Sequence, residues 1–316
     1  MTARWPELDY LAERSVIESC HAYLQVVGKL PTRALPWRNH SWHLALRVVP
    51  RGFRTYPLEM AGGEAELIFD CLSSAVAIET SEGFADGFEI SGQTVARFHA
   101  ELTQLLLAAG VDIDISGSPN EVEDAVPFVV DTRERDWDEA VLARIHRAFS
   151  DANRVFERFR TGFVGKSSPS HLFWGSFDLA VTRFSGRGAP LHPGGFPNLP
   201  DAVTREAYSH EVASAGLWLG GGGVDEAAFY AYGYPSPDGL RDIEVTAEGA
   251  YWHEDLGEWM LPYAAVRSAI DPDTALIEFL QATYDGIARL QSWDRDALDI
   301  PFGRYGKPYD VDALRA

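Results

Sequence analysis

The stretch that decides the fold covers residues 165–187 and reads GKSSPSHLFWGSFDLAVTRFSGR. Between residues 173 and 182 its side chains alternate in character, which is the pattern of a half-buried β-strand. The apolar face holds Phe173, Phe177, Leu179 and Val181. The opposite face holds Trp174, Ser176, Asp178, Ala180 and Thr182. The stretch therefore predicts a strand with one face against the core and a polar face that is free for chemistry.

The letters Gly165-Lys166-Ser167 are also those of a phosphate-binding loop, but their context excludes one. That motif needs four residues between an earlier glycine and its Gly-Lys-Ser/Thr, and Gly162 precedes Gly165 by only three positions. A strand should also lead into the loop and a helix should follow it, whereas the order of predicted elements is reversed here. We interpret these residues as a helix-to-strand turn.

The first half of the chain predicts a helix, several strands and a second helix. The first helix covers residues 8–27 and ends at Gly28. Residues 41–48 then alternate as a strand with a polar face, and residues 65–83 indicate two strands around a Ser-Ser turn. The second helix covers residues 91–110, and the segment VDIDIS after it is predicted as a short strand.

The second half repeats that order, with helices over residues 137–159 and 271–290 and strands between them. We therefore predict an α+β fold of two related lobes, each with a mostly antiparallel sheet packed against helices. The predicted lobes are residues 1–116 and 137–316, the second with a Gly- and Pro-rich tail, and residues 117–136 are predicted to link them. The sequence leaves open whether the lobes are a true internal duplication.

Net charge is the clearest global property of the chain. Forty-seven acidic residues stand against 27 basic ones, which leaves a formal net charge of −20. Such a field repels phosphate backbones and anionic lipids unless a basic patch opposes it, and no Lys/Arg cluster of that kind occurs. The expected partner is a small-molecule ligand, whereas nucleic acid and membrane binding are both disfavoured.

The lack of a targeting pattern and the spacing of the cysteines favour a cytoplasmic location. No apolar run approaches twenty residues, so no membrane span is expected, and the N-terminus lacks a signal-peptide pattern. The two cysteines, Cys20 and Cys71, form neither a CxxC motif nor a disulfide framework. We expect a cytoplasmic protein with two reduced, buried thiols.

Several of the nine histidines lie in or beside predicted strands. Imidazole and carboxylate groups bind zinc or non-haem iron, and a catalytic site needs three such ligands and an open position. No tightly spaced motif such as HExxH occurs, so the fold would have to bring separate strands together. The predicted metal ligands are His43, His171 and His210, and the alternative for each is a hydrogen-bonded structural role.

Asp178 is a candidate for general acid–base chemistry, because it is a carboxylate on the polar face of a strand. A structural ion pair with a nearby Arg183 or Arg187 is the default interpretation. Arg183 and Glu211 complete the predicted catalytic set. The adjacent Ser, His and Glu at 209–211 cannot form a nucleophilic triad, because neighbours on a strand point to opposite faces.

Aromatic side chains predict the lining of a ligand pocket. In the stretch AAFYAYGYP, alternation places three tyrosines on one face of a strand. They could line a ligand site, or they could be half-buried with their hydroxyls in water. The predicted substrate-binding residues are Trp174, Arg187, Tyr230, Tyr232 and Tyr234.

Several long blocks of the chain are similar to one bacterial family. They are HLFWGSFDLAVTRFSGR, REAYSHEVASAGLW, NHSWH with the following RG, and LPYAAVR before DPDTALIEFLQATYD. Over nearly the whole chain the sequence resembles domain of unknown function 5996. The family has no established activity, so the resemblance implies organisation and no reaction. The matching blocks contain His40, His43, His171, Trp174, Asp178, Arg183, Arg187, His210 and Glu211, which supports a shared site.

These patterns favour an enzyme that acts on a small molecule in a polar, aromatic-lined pocket between two lobes, with or without a bound metal such as zinc or iron. The alternative is a non-catalytic small-molecule binding protein, whose pocket would lack converging histidines and carboxylates. A third hypothesis is an interaction protein, which would show a flat apolar patch and no deep cavity. The sequence does not decide whether the protein is an enzyme.

Overall fold

Two antiparallel sheets of six strands each dominate the computed structural model, which describes residues 4–310. This confirms the α+β class and the two lobes, each with an antiparallel sheet. The helices are α1 (Tyr10–Ala34), α2 (Val95–Ala108), α3 (Glu139–Arg160), α4 (Asp201–Ala207), α5 (Tyr263–Ser268), α6 (Pro272–Leu290) and α7 (Arg295–Leu298). No helix within the described range is long and apolar enough to cross a membrane.

The N-terminal sheet is built from short strands with a β1-β2-β4-β5-β6 order, and β3 pairs with β4. Its strands are β1 (Arg47–Val49), β2 (Gly52–Arg54), β3 (Leu58–Met60), β4 (Gly63–Asp70), β5 (Ala75–Thr80) and β6 (Ala85–Glu89). The predicted pair of strands around the Ser-Ser turn is confirmed as β4 and β5, which pair from Ala65↔Thr80 to Asp70↔Ala75.

The C-terminal sheet has the order β11-β12-β10-β9-β8-β7. Its strands are β7 (His171–Phe173), β8 (Asp178–Gly188), β9 (His210–Trp218), β10 (Ala228–Tyr234), β11 (Tyr251–His253) and β12 (Glu258–Pro262). Helices α3 and α6 pack on one face of this sheet. That face buries the apolar side chains of β8 and β10, among them Leu179, Val181 and Phe229.

The stretch predicted as one strand over residues 173–182 is a hairpin. β7 ends at Phe173, a turn follows, and β8 returns antiparallel with Phe173 opposite Asp178. Phe177 closes the turn with a φ of 57°. The predicted alternation holds within β8, whereas Trp174 and Ser176 belong to the turn. The single-strand prediction was wrong because side-chain alternation does not reveal a tight turn.

Helix α1 continues through Gly28 and Pro31, so the predicted end at Gly28 was wrong. The reason is packing: a Cβ on residue 28 would lie 2.0 Å from Cδ2 of the Trp174 indole. Glycine allows this close approach of helix and indole, and it does not terminate the helix here.

Residues 41–48 also differ from the prediction, because only Arg47–Val49 is a strand. Before it, Asn39–Ser41 forms a 3₁₀ turn in which His40 and Ser41 have positive φ values of 57° and 59°. The segment VDIDIS is likewise not a strand. In residues 41–48 the burial reverses the predicted faces, because His43 and Ala45 are fully buried whereas Trp42 and Leu44 are only half-buried. Leu46 forms a single antiparallel bridge with Leu172. In VDIDIS, Val111 and Ile115 are buried by irregular backbone without strand pairing.

The hydrophobic core is continuous across the two sheets. The Phe149 ring of α3 lies 5.7 Å from the Phe53 ring of the N-terminal sheet and 5.8 Å from the Phe177 ring of the hairpin turn. The segment predicted as a linker contributes the buried side chains of Phe128 and Asp131. The predicted division at residues 117–136 stays a prediction.

We expect Gly28→Ala to destabilise the protein by about 1–3 kcal/mol, because the new methyl group overpacks the Trp174 contact. Glycine-to-alanine changes inside helices ordinarily stabilise by about 0.5–1 kcal/mol, so the sign is diagnostic. Urea unfolding of the two proteins measures it. An equal or higher stability of the variant would contradict the packing argument.

Candidate functional site

A cavity of about 520 Å³ lies over the face of the C-terminal sheet that is opposite α3 and α6. The sheet forms its floor, and its walls come from the end of α1, the 3₁₀ turn at Asn39–Ser41, the β7–β8 turn, α4 and residues 116–121. Its lining is largely aromatic and apolar, as in Trp37, Trp42, Phe173, Trp174 and Phe196. A concave, mostly apolar cavity with a few polar groups is typical of a small-molecule site.

Alternation along three adjacent strands places the polar groups on the floor. β8 presents Asp178 and Thr182, β9 presents Ser214, and β10 presents Tyr230 and Tyr232. The Thr182 Oγ1 atom lies 2.8 Å from the Ser214 Oγ atom across a register pair. The predicted shared face of the tyrosines is thus confirmed for the two that reach the cavity.

A glycine allows Tyr230 to reach across β9. Residue 230 is paired with Gly216, which is paired in turn with Ala180. A Cβ on Gly216 would lie 2.4 Å from the Tyr230 hydroxyl oxygen, so only glycine leaves room for the phenol there. The phenol therefore leans over the middle strand toward β8.

Asp178, the first residue of β8, lies at one end of the floor and accepts two hydrogen bonds, one from the Ser176 hydroxyl and one from the Tyr230 hydroxyl. Burial raises the pKa of the Asp178 carboxyl above its ordinary value, and the two hydrogen bonds offset only part of this effect. Asp178 forms no ion pair with any side chain in residues 4–310. The structural ion pair expected by default is therefore wrong.

Two further carboxyl groups lie close enough to Asp178 to respond to its charge. Burial, and then the Asp178 carboxylate, raises the pKa of Glu121 to about 7 and that of Glu258 to about 7. Glu121 comes from the cavity wall and has a φ of 60°, whereas Glu258 comes from β12. Like charges in a poorly solvated site cannot all ionise at neutral pH, so this side of the cavity binds protons.

The wall formed by α1 has the opposite character. Lys29 and Arg33 line it one helical turn apart. Neither forms an ion pair with a carboxylate in the part of the chain that the structure describes. The Lys29 ammonium instead donates a hydrogen bond to the Asn120 side chain. The cavity therefore has an acidic floor and a cationic wall that do not neutralise each other.

His40 is a third polar group at the cavity and has a strained backbone. Its Nδ1 atom lies 2.8 Å from the Ala207 carbonyl oxygen, and its Nε2 atom lies 2.6 Å from Nζ of Lys166. Burial lowers the pKa of His40, and Lys166 lowers it further. His40, Ser41 and Glu121 line the same cavity, and all three have positive φ values. Such backbone strain is common at functional sites.

The predicted metal ligands do not form a metal site in this structure. Within residues 4–310, no group of three His, Cys, Asp or Glu side chains is placed to hold a metal ion. His171 is buried between Trp42 and Phe173, where burial lowers its pKa to about 3. The His43 ring packs on Trp37, and its Nε2 atom is buried without a hydrogen-bond partner in the part of the chain that the structure describes.

His210 is separate from the other two predicted ligands. Its Nδ1 atom lies 3.0 Å from the Ser209 hydroxyl, and its ring lies 5.9 Å from the His40 ring. The donor set of His43, His171 and His210 therefore does not fit a catalytic metal, which needs three converging ligands.

Four other predicted site residues lie outside the cavity lining. Arg183 points to the core face, where its guanidinium carbon lies 3.5 Å from the centre of the Phe159 ring. Arg187 and Glu211 form an ion pair of 2.7 Å where β8 ends and β9 begins. Tyr234 donates a hydrogen bond of 3.0 Å to the Pro190 carbonyl oxygen. Neighbours in sequence had suggested one site, but alternation separates Arg183 from Asp178.

The cavity also contains residues that the sequence had not indicated. Lys29, Glu121 and Tyr208 line it, and the Tyr208 hydroxyl lies 2.7 Å from that of Tyr232. One sequence signal was available, since Lys29 is one of only three lysines in the chain. Glu121 had no such signal, because it lies in the acidic segment interpreted as a linker.

A family model described as a family of unknown function (DUF5996) matches residues 5–300. The chain therefore belongs to this family. No curated protein matches the chain. No solved structure matches it either. The family membership assigns no reaction, so the site itself has to carry the functional argument.

We expect Glu258→Gln to be more stable than the natural protein at pH 8 by about 1–3 kcal/mol, and nearly equal to it at pH 4.5. A carboxyl whose folded pKa is raised from 4.5 to about 7 contributes stability below the lower value, and this contribution is lost as pH rises through the higher one. Urea unfolding between pH 4.5 and 8 measures it.

The exposed Glu248 provides the matched control, and Glu248→Gln should leave the pH dependence of stability unchanged. If Glu258→Gln and Glu248→Gln show the same pH dependence as the natural protein, Asp178 and the two carboxyls near it are not a coupled, poorly solvated cluster.

Proposed function

We propose that this protein is an enzyme that binds a small organic molecule in the cavity and transfers a proton through Asp178. The observation that carries the proposal is the environment of that carboxyl, which is buried on the cavity floor and hydrogen-bonded by two hydroxyls. It has no ion-pair partner within residues 4–310. A perturbed, unpaired carboxyl in a cleft is typical of a general acid or base.

The two hydroxyls define what Asp178 can do. When the carboxyl is ionised, Ser176 and Tyr230 stabilise it by donation, and when it is protonated it can donate its own proton to a ligand. Burial favours the protonated form, and the neighbouring Glu121 and Glu258 can release or take up protons near pH 7. This arrangement supports acid–base chemistry close to neutral pH, and no step requires a metal ligand from the chain.

Non-catalytic binding is the second candidate, and the aromatic walls favour it. Trp37, Trp42 and Trp174 offer flat apolar surfaces that would hold an organic ligand without any reaction. That hypothesis expects no converging histidines and carboxylates, whereas His40, Glu121 and Asp178 all line the cavity. A deep cavity of this size also favours a ligand site over a flat interaction surface.

We expect the natural protein to convert at least one component of a defined mixture of small organic metabolites. Asp178→Asn should retain binding of that component and lower its conversion by about 10²–10⁴-fold, since a positioned acid or base contributes this much. Liquid chromatography with mass spectrometry follows the conversion, and calorimetry measures binding.

Asp255 is exposed in the β11–β12 turn, so Asp255→Asn is the matched control and should convert the component at the natural rate. A ligand that binds both the natural protein and Asp178→Asn and is converted by neither would establish a binding protein instead.

A further inference from the structure

Lysine is rare in this chain, and its distribution is uneven. Of the 27 basic residues only three are lysines, namely Lys29, Lys166 and Lys307. Arginine supplies the basic partner in the ion pairs of the described chain, such as those with Glu66, Asp131 and Asp273. Arginine stays charged in proteins, whereas a lysine amine can lose its proton and react. Lys29, which lies in the cavity wall, can therefore react as a neutral amine, whereas the arginines of these ion pairs cannot.

The surroundings of Lys29 suit a reactive amine. Its Nζ atom lies 5.4 Å from the centre of the Trp174 ring and 5.8 Å from that of the Phe128 ring, and it donates to the Asn120 side chain. Burial, and then the charge of Arg33, lowers the pKa of Lys29 to about 8. Apolar surroundings and a neighbouring cation are the two features that activate lysine nucleophiles.

We propose that Lys29 forms an imine with an aldehyde or ketone that also carries a carboxylate, an oxoacid, bound in the cavity. The imine proposal names the substrate class of the proposed enzyme. It rests on the proposed function in one respect, namely that both use the same cavity. Arg33 lies one turn further along α1, also in the cavity wall, and is free of ion pairs within residues 4–310. Its guanidinium matches the geometry of a carboxylate.

The step balances without an oxidant or reductant. The neutral Nζ of Lys29 adds to the carbonyl carbon, and a C–N bond forms as the C=O π pair moves to oxygen. A protonated carboxyl that lines the cavity, Asp178 on the floor or Glu121 on the wall, supplies a proton to that oxygen. The resulting carboxylate takes one proton from nitrogen and returns it to the hydroxyl, which leaves as water while the nitrogen lone pair forms the C=N bond of a protonated imine. Hydrolysis reverses the sequence.

The test uses the full-length protein with pyruvate and glyoxylate as probes and sodium cyanoborohydride to reduce any imine. Peptide mapping by mass spectrometry assigns the label among three lysines. We expect Lys29 to be labelled at least about tenfold faster at pH 7 than the exposed Lys307, because the neutral amine is more abundant at the lower pKa. The rate at Lys29 should rise with a midpoint near pH 8.

Lys29→Arg keeps the charge and should remove this fast labelling, whereas Lys307→Arg should leave it unchanged. The natural protein decides the matter even if Lys29→Arg does not fold. Labelling of Lys29 that is no faster than that of Lys307, for both probes, would overturn the inference. If conversion of another metabolite nevertheless depends on Asp178, the proposed enzyme stands and only the imine fails. If Lys29 is labelled quickly but no metabolite is converted, the imine proposal stands and the proton-transfer role of Asp178 is rejected.

Discussion

The contact between the Trp174 indole and Gly28 joins the three segments that create the cavity. The indole lies against the backbone of α1, and its Nε1 atom donates a hydrogen bond of 2.9 Å to the Leu44 carbonyl oxygen. It also lies under the Lys29 ammonium. One side chain on a hairpin turn thus positions the end of the first helix and the loop after it.

The polar groups of the cavity are costly to the free protein and useful to a bound ligand. Asp178 is buried and has no counter-ion within residues 4–310, and Lys29 is part-buried beside another cation. Each pKa shift reports that the charged form is poorly solvated, so the site stores unfavourable electrostatic energy. The fold tolerates this because the opposite face of the same sheet buries Leu179, Val181 and Phe229 against α3 and α6.

Local pattern predicted the regular elements of the fold well. The alternation in β8 and β10 and the capped α6 follow from side-chain period and from Asp271 at the helix start, and all three are observed. The predictions that were wrong concern places where packing between distant segments determines the structure. No residue near Gly28 in sequence predicts its contact with the Trp174 indole. The left-handed backbone of His40 and Ser41 likewise depends on tertiary structure.

The candidate site was predictable only where one strand carries it. Asp178, Tyr230 and Tyr232 line the cavity together, and alternation along β8 and β10 shows which side chains share that face. Their roles in binding or catalysis stay a prediction. Glu121 comes from an irregular segment whose path depends on contacts such as the 2.8 Å bond from its N–H to the Pro197 carbonyl oxygen. The predicted histidine cluster failed for the same reason, since residue types alone do not say whether side chains converge.

The net charge of −20 and a cationic cavity wall are compatible, because they act over different distances. At physiological salt the field of exposed acids decays over about 8 Å, whereas Lys29 and Arg33 would contact a bound ligand directly. A small acid can pass the screened surface and meet these cations inside the cavity. The charge distribution is therefore compatible with the proposed oxoacid ligand, and the absence of nucleic-acid binding stays a prediction.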